Sequence, residues 1–519
     1  MLTLRRTAIV LILLIIVSPT LWARDYIEIW PEGWSEITPH FATSIFGERF
    51  FVRSDSSGTS FLSVDGQYFR ELDLTYRWQQ ESKVEEVVLR GGAEIGGAFL
   101  GLDQKGGRHV LWLERTGGEN TIQYVSFQNI GEEYMPSILF QTNQSLQDLG
   151  AYQADDLTHV VWAERDGHFQ IRYALVQDGE IAQLETITHT SDVSVKPSVV
   201  ATSDGKAHVA WMETTPLGVE IQYSRREEVG WSKPRRIGEG SVQDIEQGGR
   251  IAMAVVDGDV KLAWSALPRN SNRLAVFLAT LNQDEVQAPM MLASGSRPQF
   301  VTGSAGLELV WQGTGPFGAQ INYLDQEGEV TNLTVGRKGA FRPEAYGQNG
   351  FTYVYWLQAE PDGGYRVYGI SNEDPKAMSL WRRVGIDENS PWYHLLFLFL
   401  STFMLAGVYT LMNFGVMLVA GVMYTLLQRM RAYQNQGPFY RVALLATLML
   451  VVRRLPIPAG SPQFFGLVHQ GIATILATLG TWIILRRVRQ RGMFLTIGTM
   501  LLWMLLYQFF ALIPQTILR

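Results

Sequence analysis

The sequence predicts two bodies of opposite character: an all-β propeller of seven blades, or six, followed by an all-α bundle of about four transmembrane spans. Three observations carry that expectation. One phrase recurs six times between residues 109 and 370, an apolar strand centred on Trp, a Gly-rich turn and a second strand with an aromatic. The marker tryptophans Trp112, Trp162, Trp211, Trp264, Trp311 and Trp356 lie 50, 49, 53, 47 and 45 residues apart, and a period near fifty built from period-two strands marks propeller blades. All 50 acidic residues precede Pro391, whereas the 129 residues from Pro391 onward hold ten Arg and no Asp, Glu or Lys.

The clearest copies read HVLWLERTGGENTIQYVSF, HVVWAERDGHFQIRYALV and HVAWMETTPLGVEIQYSR. Weaker ones read VKLAWSALPRNSNRLAVFLA, LELVWQGTGPFGAQINYL and YVYWLQAEPDGGYRVYGI. Each unit divides into four strands. In the third copy PSVVAT, HVAWME, IQYSR and WSKPRRI follow one another, with a tight turn at Ser203-Asp204-Gly205. Period-two alternation puts Val160, Trp162 and Glu164 on one side of a strand and His159, Val161 and Ala163 on the other. Apolar residues on both sides fit a sheet sandwiched between neighbours, with Trp in the layer between blades. ERFFVR and TSFLSVDG, within residues 27–90, extend the plan to a seventh blade without the Trp. Ring closure then requires the N-terminal segment to pair with the last blade, near Trp381.

Ahead of the propeller, expected over residues 25–388, residues 1–23 read as an export signal or N-terminal anchor. Arg5 and Arg6 precede an apolar run from Ala8 to Val17 and a break at Ser18-Pro19, with cleavage fitting after Ala23. The first 390 residues carry a net charge of −17 and the remainder +10. There is no cysteine, which excludes disulfides, thiolate metal sites, a Cys nucleophile and a lipidated Cys.

Residues 391–519 form the expected membrane domain. Apolar runs cover 394–427, 439–452, 464–485 and 493–517. Arginine placement puts the propeller outside the cytoplasm and the C-terminus on the same side, which makes the chain a multi-pass cell-membrane protein. Asn413, His469, Gln470 and Gln508 are the polar residues in the spans, suited to interhelical hydrogen bonding. Gly407, Gly415, Gly421, Gly471, Ala473, Ala477 and Gly480 suggest close helix packing. Arg486, Arg487, Arg489 and Arg491 form a basic loop suited to anionic lipid headgroups.

Three sets of residues are candidates for chemistry. His109, His159 and His208 recur at one position of successive blades; such positions radiate around an axis, so a repeat role is expected rather than a metal site. Glu114, Glu164 and Glu213 recur two residues after the Trp and read as repeat features too, although paired carboxylates can cleave glycosidic bonds. Lys196-Pro197, Arg297-Pro298 and Arg342-Pro343 place a cation before Pro at equivalent starts of innermost strands, where a cluster could hold a carboxylate or phosphate at the funnel mouth. No metal or cofactor is expected.

The HVxWxE…G…IxY phrase over residues 90–385 resembles the sialidase-like (BNR-type) propellers of bacterial surface proteins. The Asp-box of that family is approached by SDSSGTSF at Ser54 to Phe61, with its spacing shifted by one residue. The resemblance implies the propeller fold, and Arg297 and Arg342 would stand for two arginines of the family's triad. Three functional readings follow. The first is a membrane-anchored extracytoplasmic module that binds a protein, glycan or envelope polymer, its bundle available to a membrane-protein partner. The second is a sensor or transporter component worked by the bundle, and the third a sialidase-like glycoside hydrolase.

Overall fold

A computed structural model describes residues 30–43, 50–55, 58–68, 71–80, 83–103, 106–128, 134–154, 156–246, 249–268, 271–282, 285–304, 306–315, 318–334, 339–360, 364–377, 391–428, 438–453, 467–485 and 493–517. The expected signal segment 1–23 lies outside them. Two compact units divide the chain, one of them Ile29–Ala377.

Among the described residues, the regular structure of that unit is strand apart from one short helix. Its strands are β1 (Thr38–Thr43), β2 (Phe50–Asp55), β3 (Gly58–Tyr68), β4 (Glu71–Gln80), β5 (Lys83–Leu102), β6 (Arg108–Thr116), β7 (Glu119–Phe127) and β8 (Ser137–Thr142). Next come β9 (Leu146–Ala154), β10 (Leu157–Asp166), β11 (His168–Gln177), β12 (Glu180–Thr186), β13 (Val193–Ala201), β14 (Ala207–Thr215), β15 (Gly218–Arg225) and β16 (Arg235–Glu239). After the helix α1 (Val242–Glu246) follow β17 (Ala252–Val256), β18 (Asp259–Ala266), β19 (Ala275–Asn282), β20 (Glu285–Val286) and β21 (Met290–Ser294). The last are β22 (Ser296–Phe300), β23 (Leu309–Gly315), β24 (Gly318–Leu324), β25 (Val330–Asn332), β26 (Ala340–Gln348), β27 (Phe351–Ala359) and β28 (Tyr365–Ser371).

Antiparallel pairing sorts these strands into β9–β12, β13–β16, β17–β21, β22–β25, a sheet of β26, β27, β28 and β1, and one continuous sheet from β2 to β8. The continuous sheet is two blades joined through β5, whose first half pairs with β4 as far as Ala93 and whose second half pairs with β6 from Glu94. Seven blades result, six of four strands and the fifth with both β20 and β21 paired to β19. Their first strands (β2, the second half of β5, β9, β13, β17, β22 and β26) neighbour one another in cyclic order, and β26 returns to β2. The chain closes the ring through β1, which pairs with β28 from Thr38↔Gly369 to Thr43↔Tyr365. Trp381, where that closure was expected, lies outside the described residues.

The repeated Trp is the mortar of the ring. All six marker tryptophans are fully buried, and five pack on the preceding blade. Trp112 joins Leu62 and Leu74, Trp162 joins Leu111 and Leu113, and Trp211 joins Val161 and Tyr173. Trp264 joins Met212 and Tyr223, and Trp311 joins Ala263 and Val276. Burying about 150–250 Å² per indole contributes roughly 4–6 kcal/mol of gross hydrophobic stabilisation each.

The second unit holds helices α2 (Pro391–Met412), α3 (Phe414–Gln428), α4 (Pro438–Arg453), α5 (Leu467–Leu485) and α6 (Met493–Ile517). Among the described residues no helix is long and apolar enough to cross a membrane. That finding overturns the expected bundle of about four transmembrane spans, and with it the multi-pass cell-membrane location. The apolar run 394–427 is not one rod but two helices divided at Asn413, and the run 439–452 yields a helix of 16 residues. Part of the apolar composition serves helix-on-helix packing, in which Tyr424, Ala446, Met449, Ala473, Ala477, Trp503 and Tyr507 form one core. The small residues are used unevenly. A Cβ on Gly480 would stand 3.1 Å from Leu506, whereas Gly407 and Gly415 have nothing within 4 Å of that position.

Candidate functional site at the mouth of the ring

Each innermost strand starts at one rim of the ring, and there the backbone does something unusual. Lys196, Arg297 and Arg342 have φ of 54°, 56° and 56°, and Asp148 of the preceding blade has 57°. A non-glycine residue in the left-handed region costs about 1–3 kcal/mol, and the three cations take it immediately before a proline, which itself disfavours helical backbone. The cause is a β-bulge that recurs in the fourth, sixth and seventh blades. The register slips between Val195 and Ser198, between Ser296 and Gln299, and between Phe341 and Glu344. An extra residue leaves the ladder and its side chain is re-aimed. The proline after it has no N–H to leave unpaired.

The bulged amides are caught by the preceding blade. Lys196 N–H donates to Asp148 Oδ2 (3.3 Å), Arg297 N–H to Ser265 Oγ (3.0 Å) and Arg342 N–H to Gln312 Oε1 (3.4 Å). Lys196, Arg297 and Arg342 are thus fixed at one level on three blades. Arg250 is a fourth cation that the sequence reading passed over, because no proline follows it. It lies fourteen residues before Trp264, the same offset as Arg297 from Trp311 and Arg342 from Trp356. Its Nη2 donates to the Leu149 carbonyl at 3.3 Å, reaching from the fifth blade to the third.

Two carboxylates accompany these cations. Asp148 Oδ1 lies 2.8 Å from Lys196 Nζ, and both side chains are only 11% exposed. Asp244, on α1 ahead of the fifth blade, is 1% exposed. Neither of its carboxylate oxygens meets hydrogen-bond geometry with any described residue. Burial pushes its carboxyl up to about 7, and Ser265, Arg297 and Lys196 draw it back only in part. Further along the strands, burial lowers the Arg53 guanidinium and the nearby Glu344 carboxylate opposes the shift.

The other candidates lie elsewhere. His109, His159 and His208 open the second strands, at the ends opposite the cations, with Nδ1 2.8, 2.9 and 2.6 Å from the hydroxyls of Tyr124, Tyr173 and Tyr223. Burial lowers His159 and His208 to about 4, with Arg226 adding to the effect at His159. The same position carries Glu308 in the sixth blade, where Tyr323 Oη donates to Glu308 Oε2 at 2.7 Å. This Tyr–Glu pair is at the far end of its blade from Arg297. Among the described residues no group of three His, Asp or Glu could hold a metal ion.

Glu114 is gripped by Arg90 at 2.6 Å and by the Trp112 indole N–H at 3.2 Å. Burial alone would raise its carboxyl, yet Arg90, Trp112 and Thr116 together hold it below the usual range. Glu164 pairs with Arg172 at 3.1 Å, while burial raises Glu213 against a hydrogen bond from Thr190. The Asp-box-like segment makes the β2–β3 hairpin, where Asp55 Oδ1 accepts from Gly58 N–H at 3.2 Å and Asp55 pairs with Arg108 at 3.2 Å.

In the helical unit Asn413 is buried and donates from Nδ2 to the Tyr409 carbonyl at 2.7 Å, within its own chain turn. Gln508 is buried with Nε2 3.9 Å from Met504 Sδ. The side chains of His469 and Gln470 and the loop of Arg486, Arg487, Arg489 and Arg491 lie outside the described residues.

No family model and no curated protein matches the chain. Slight similarity exists to solved structures. A sialidase of Trypanosoma rangeli in complex with the inhibitor DANA has a TM-score of 0.36 and 8% identity, covering 56% of each chain. The polysaccharide lyase Uly1 has a TM-score of 0.39 and 12% identity over 62% of this chain and 90% of that one. A prolyl endopeptidase has a TM-score of 0.39 and 11% identity over 60% of this chain and 47% of that one. The chain therefore spans little more than half the length of the sialidase it resembles, and likeness this slight assigns neither activity nor ligand.

Proposed function

We propose that the ring is a binding module for an anionic ligand, in the first instance a carboxylate-bearing glycan held at its mouth. The observation that supports this reading is the placement of Lys196, Arg250, Arg297 and Arg342 at the starts of innermost strands in four consecutive blades. Three of them are fixed there by a strained bulge and an amide clamp. The clamp itself uses the backbone N–H, and at Lys196 the side-chain charge is taken up by Asp148. Guanidinium groups bind carboxylates through paired, charge-assisted hydrogen bonds worth about 1.5–3 kcal/mol each. With Lys196 paired to Asp148, the three arginines on three blades suit a ligand with more than one anionic group.

The test is a titration of the full chain with oligogalacturonate and with its methyl ester, which differ in charge and little in shape. The reading expects binding to the acid form alone, weakening as salt rises. Equal binding of the two forms, or of neither, contradicts it.

A further inference from the structure

We propose that Asp244 is a built-in counter-anion of the mouth, whose loss of charge on acidification admits the anionic ligand. The inference rests on the anion-binding reading above and adds its regulation. A buried carboxylate ordinarily has donors, because an unpaired buried charge is expensive. Asp244, 1% exposed, has no donor in full hydrogen-bond geometry among the described residues, and the Ser265 hydroxyl is the one hydrogen-bonding group that draws on its carboxylate. Its charged neighbours are cations of the proposed site, Lys196 on β13 and Arg297 on β22, with the neutral Ser265 on β18 beside them.

The surroundings leave it little room to move. A Cβ on Gly249 would fall 2.1–2.2 Å from the carboxylate atoms, so the backbone after α1 lies directly against the group, which only glycine permits. Asp148 on β9 already neutralises Lys196 at 2.8 Å, and Arg250, next to Gly249, is engaged with Leu149. Ionised Asp244 therefore competes for Arg297 with any incoming anion and repels it. Protonated Asp244 does neither. Burial sets the change of state near neutrality, so the mouth binds anions more tightly below about pH 7 than above it. The repeat histidines open the second strands, at the opposite rim, and do not face this group.

Sulfate is the probe, because it stays a dianion across the window. Calorimetric titration of the full chain between pH 5.5 and 8.5 is expected to show affinity at least fivefold higher at the acid end. Asp244→Asn is expected to bind at both pH values as the parent does at pH 5.5, and Asp244→Ser to do the same, which guards against a fold-specific effect of either substitution. Sulfate binding by the parent without pH dependence overturns this inference and leaves the anion-binding reading standing. Retained pH dependence in the folded variants overturns it as well. Absence of sulfate binding by the parent at every pH sinks both.

Discussion

Lys196 Nζ lies 2.8 Å from Asp148 Oδ1, and the two residues occupy the same bulged position of adjacent blades, each with a left-handed backbone. One repeat position thus carries an anion in the third blade and a cation in the fourth, and the pair locks the rim between them. With both side chains nearly buried, the pair is costly to break from one side. Lys196→Met is expected to lower stability by about 3–5 kcal/mol, since it strands the Asp148 carboxylate. Adding Asp148→Asn should recover most of that loss. Urea denaturation of the four members of the cycle measures the coupling, and independent, additive effects would contradict the account.

Arg297 and Arg342 should matter to the ligand. Arg297→Gln and Arg342→Gln are each expected to weaken oligogalacturonate binding about tenfold, or ~1.4 kcal/mol, and to reduce its salt dependence. Arg250→Gln should behave alike. Titrations at two ionic strengths decide this, and an unchanged affinity in all three variants would remove these side chains from the site.

The tryptophans make a sharper structural prediction. Trp211 Nε1 is buried with no hydrogen-bond partner among the described residues, whereas Trp264 Nε1 donates to the Glu239 carbonyl at 2.9 Å. Trp211→Phe removes an unsatisfied donor, and Trp264→Phe strands an acceptor. The second is therefore expected to cost about 1 kcal/mol more than the first. Either residue replaced by Ala should cost about 3–5 kcal/mol. Thermal or chemical denaturation reads the difference, and a reversed order would contradict the packing described.

Acid should destabilise the ring through its buried histidines. His159 and His208 titrate near 4 when folded, against an ordinary 6.5. Between those values the unfolded chain binds more protons, so stability is complete above about pH 6.5 and falls as pH drops towards 4. The loss is at most on the order of 3 kcal/mol per histidine. Asp244 works in the opposite direction, its penalty being present above about pH 7 and relieved below it. A His159→Gln, His208→Gln double variant should flatten the acid limb of the stability profile, and a limb left as steep would assign it to other groups.

Legibility in the sequence followed repetition. The Trp period exposed the blades because each indole fills the same inter-blade layer, and the turn residues between strands marked the reversals. The bulge was half visible: a cation before proline recurs at Lys196, Arg297 and Arg342, but the left-handed backbone that makes the position special leaves no residue signature. Arg250 escaped because Ile251 stands where the others have proline, though its offset from Trp264 would have found it. Asp244 was invisible, since a lone acidic residue in a connecting segment reads as solvated until burial shows otherwise. The C-terminal quarter misled for a related reason. Apolar composition alone does not tell a lipid-facing surface from helices packed on one another, and the break at Asn413 divides what reads as one long run.

The most direct test is to soak crystals of the full chain in selenate and collect anomalous data. The account predicts a selenium peak at the mouth, within hydrogen-bond reach of two or more of Lys196, Arg250, Arg297 and Arg342. Saturating selenate with no peak at that rim, or with peaks only at other surfaces, would contradict it.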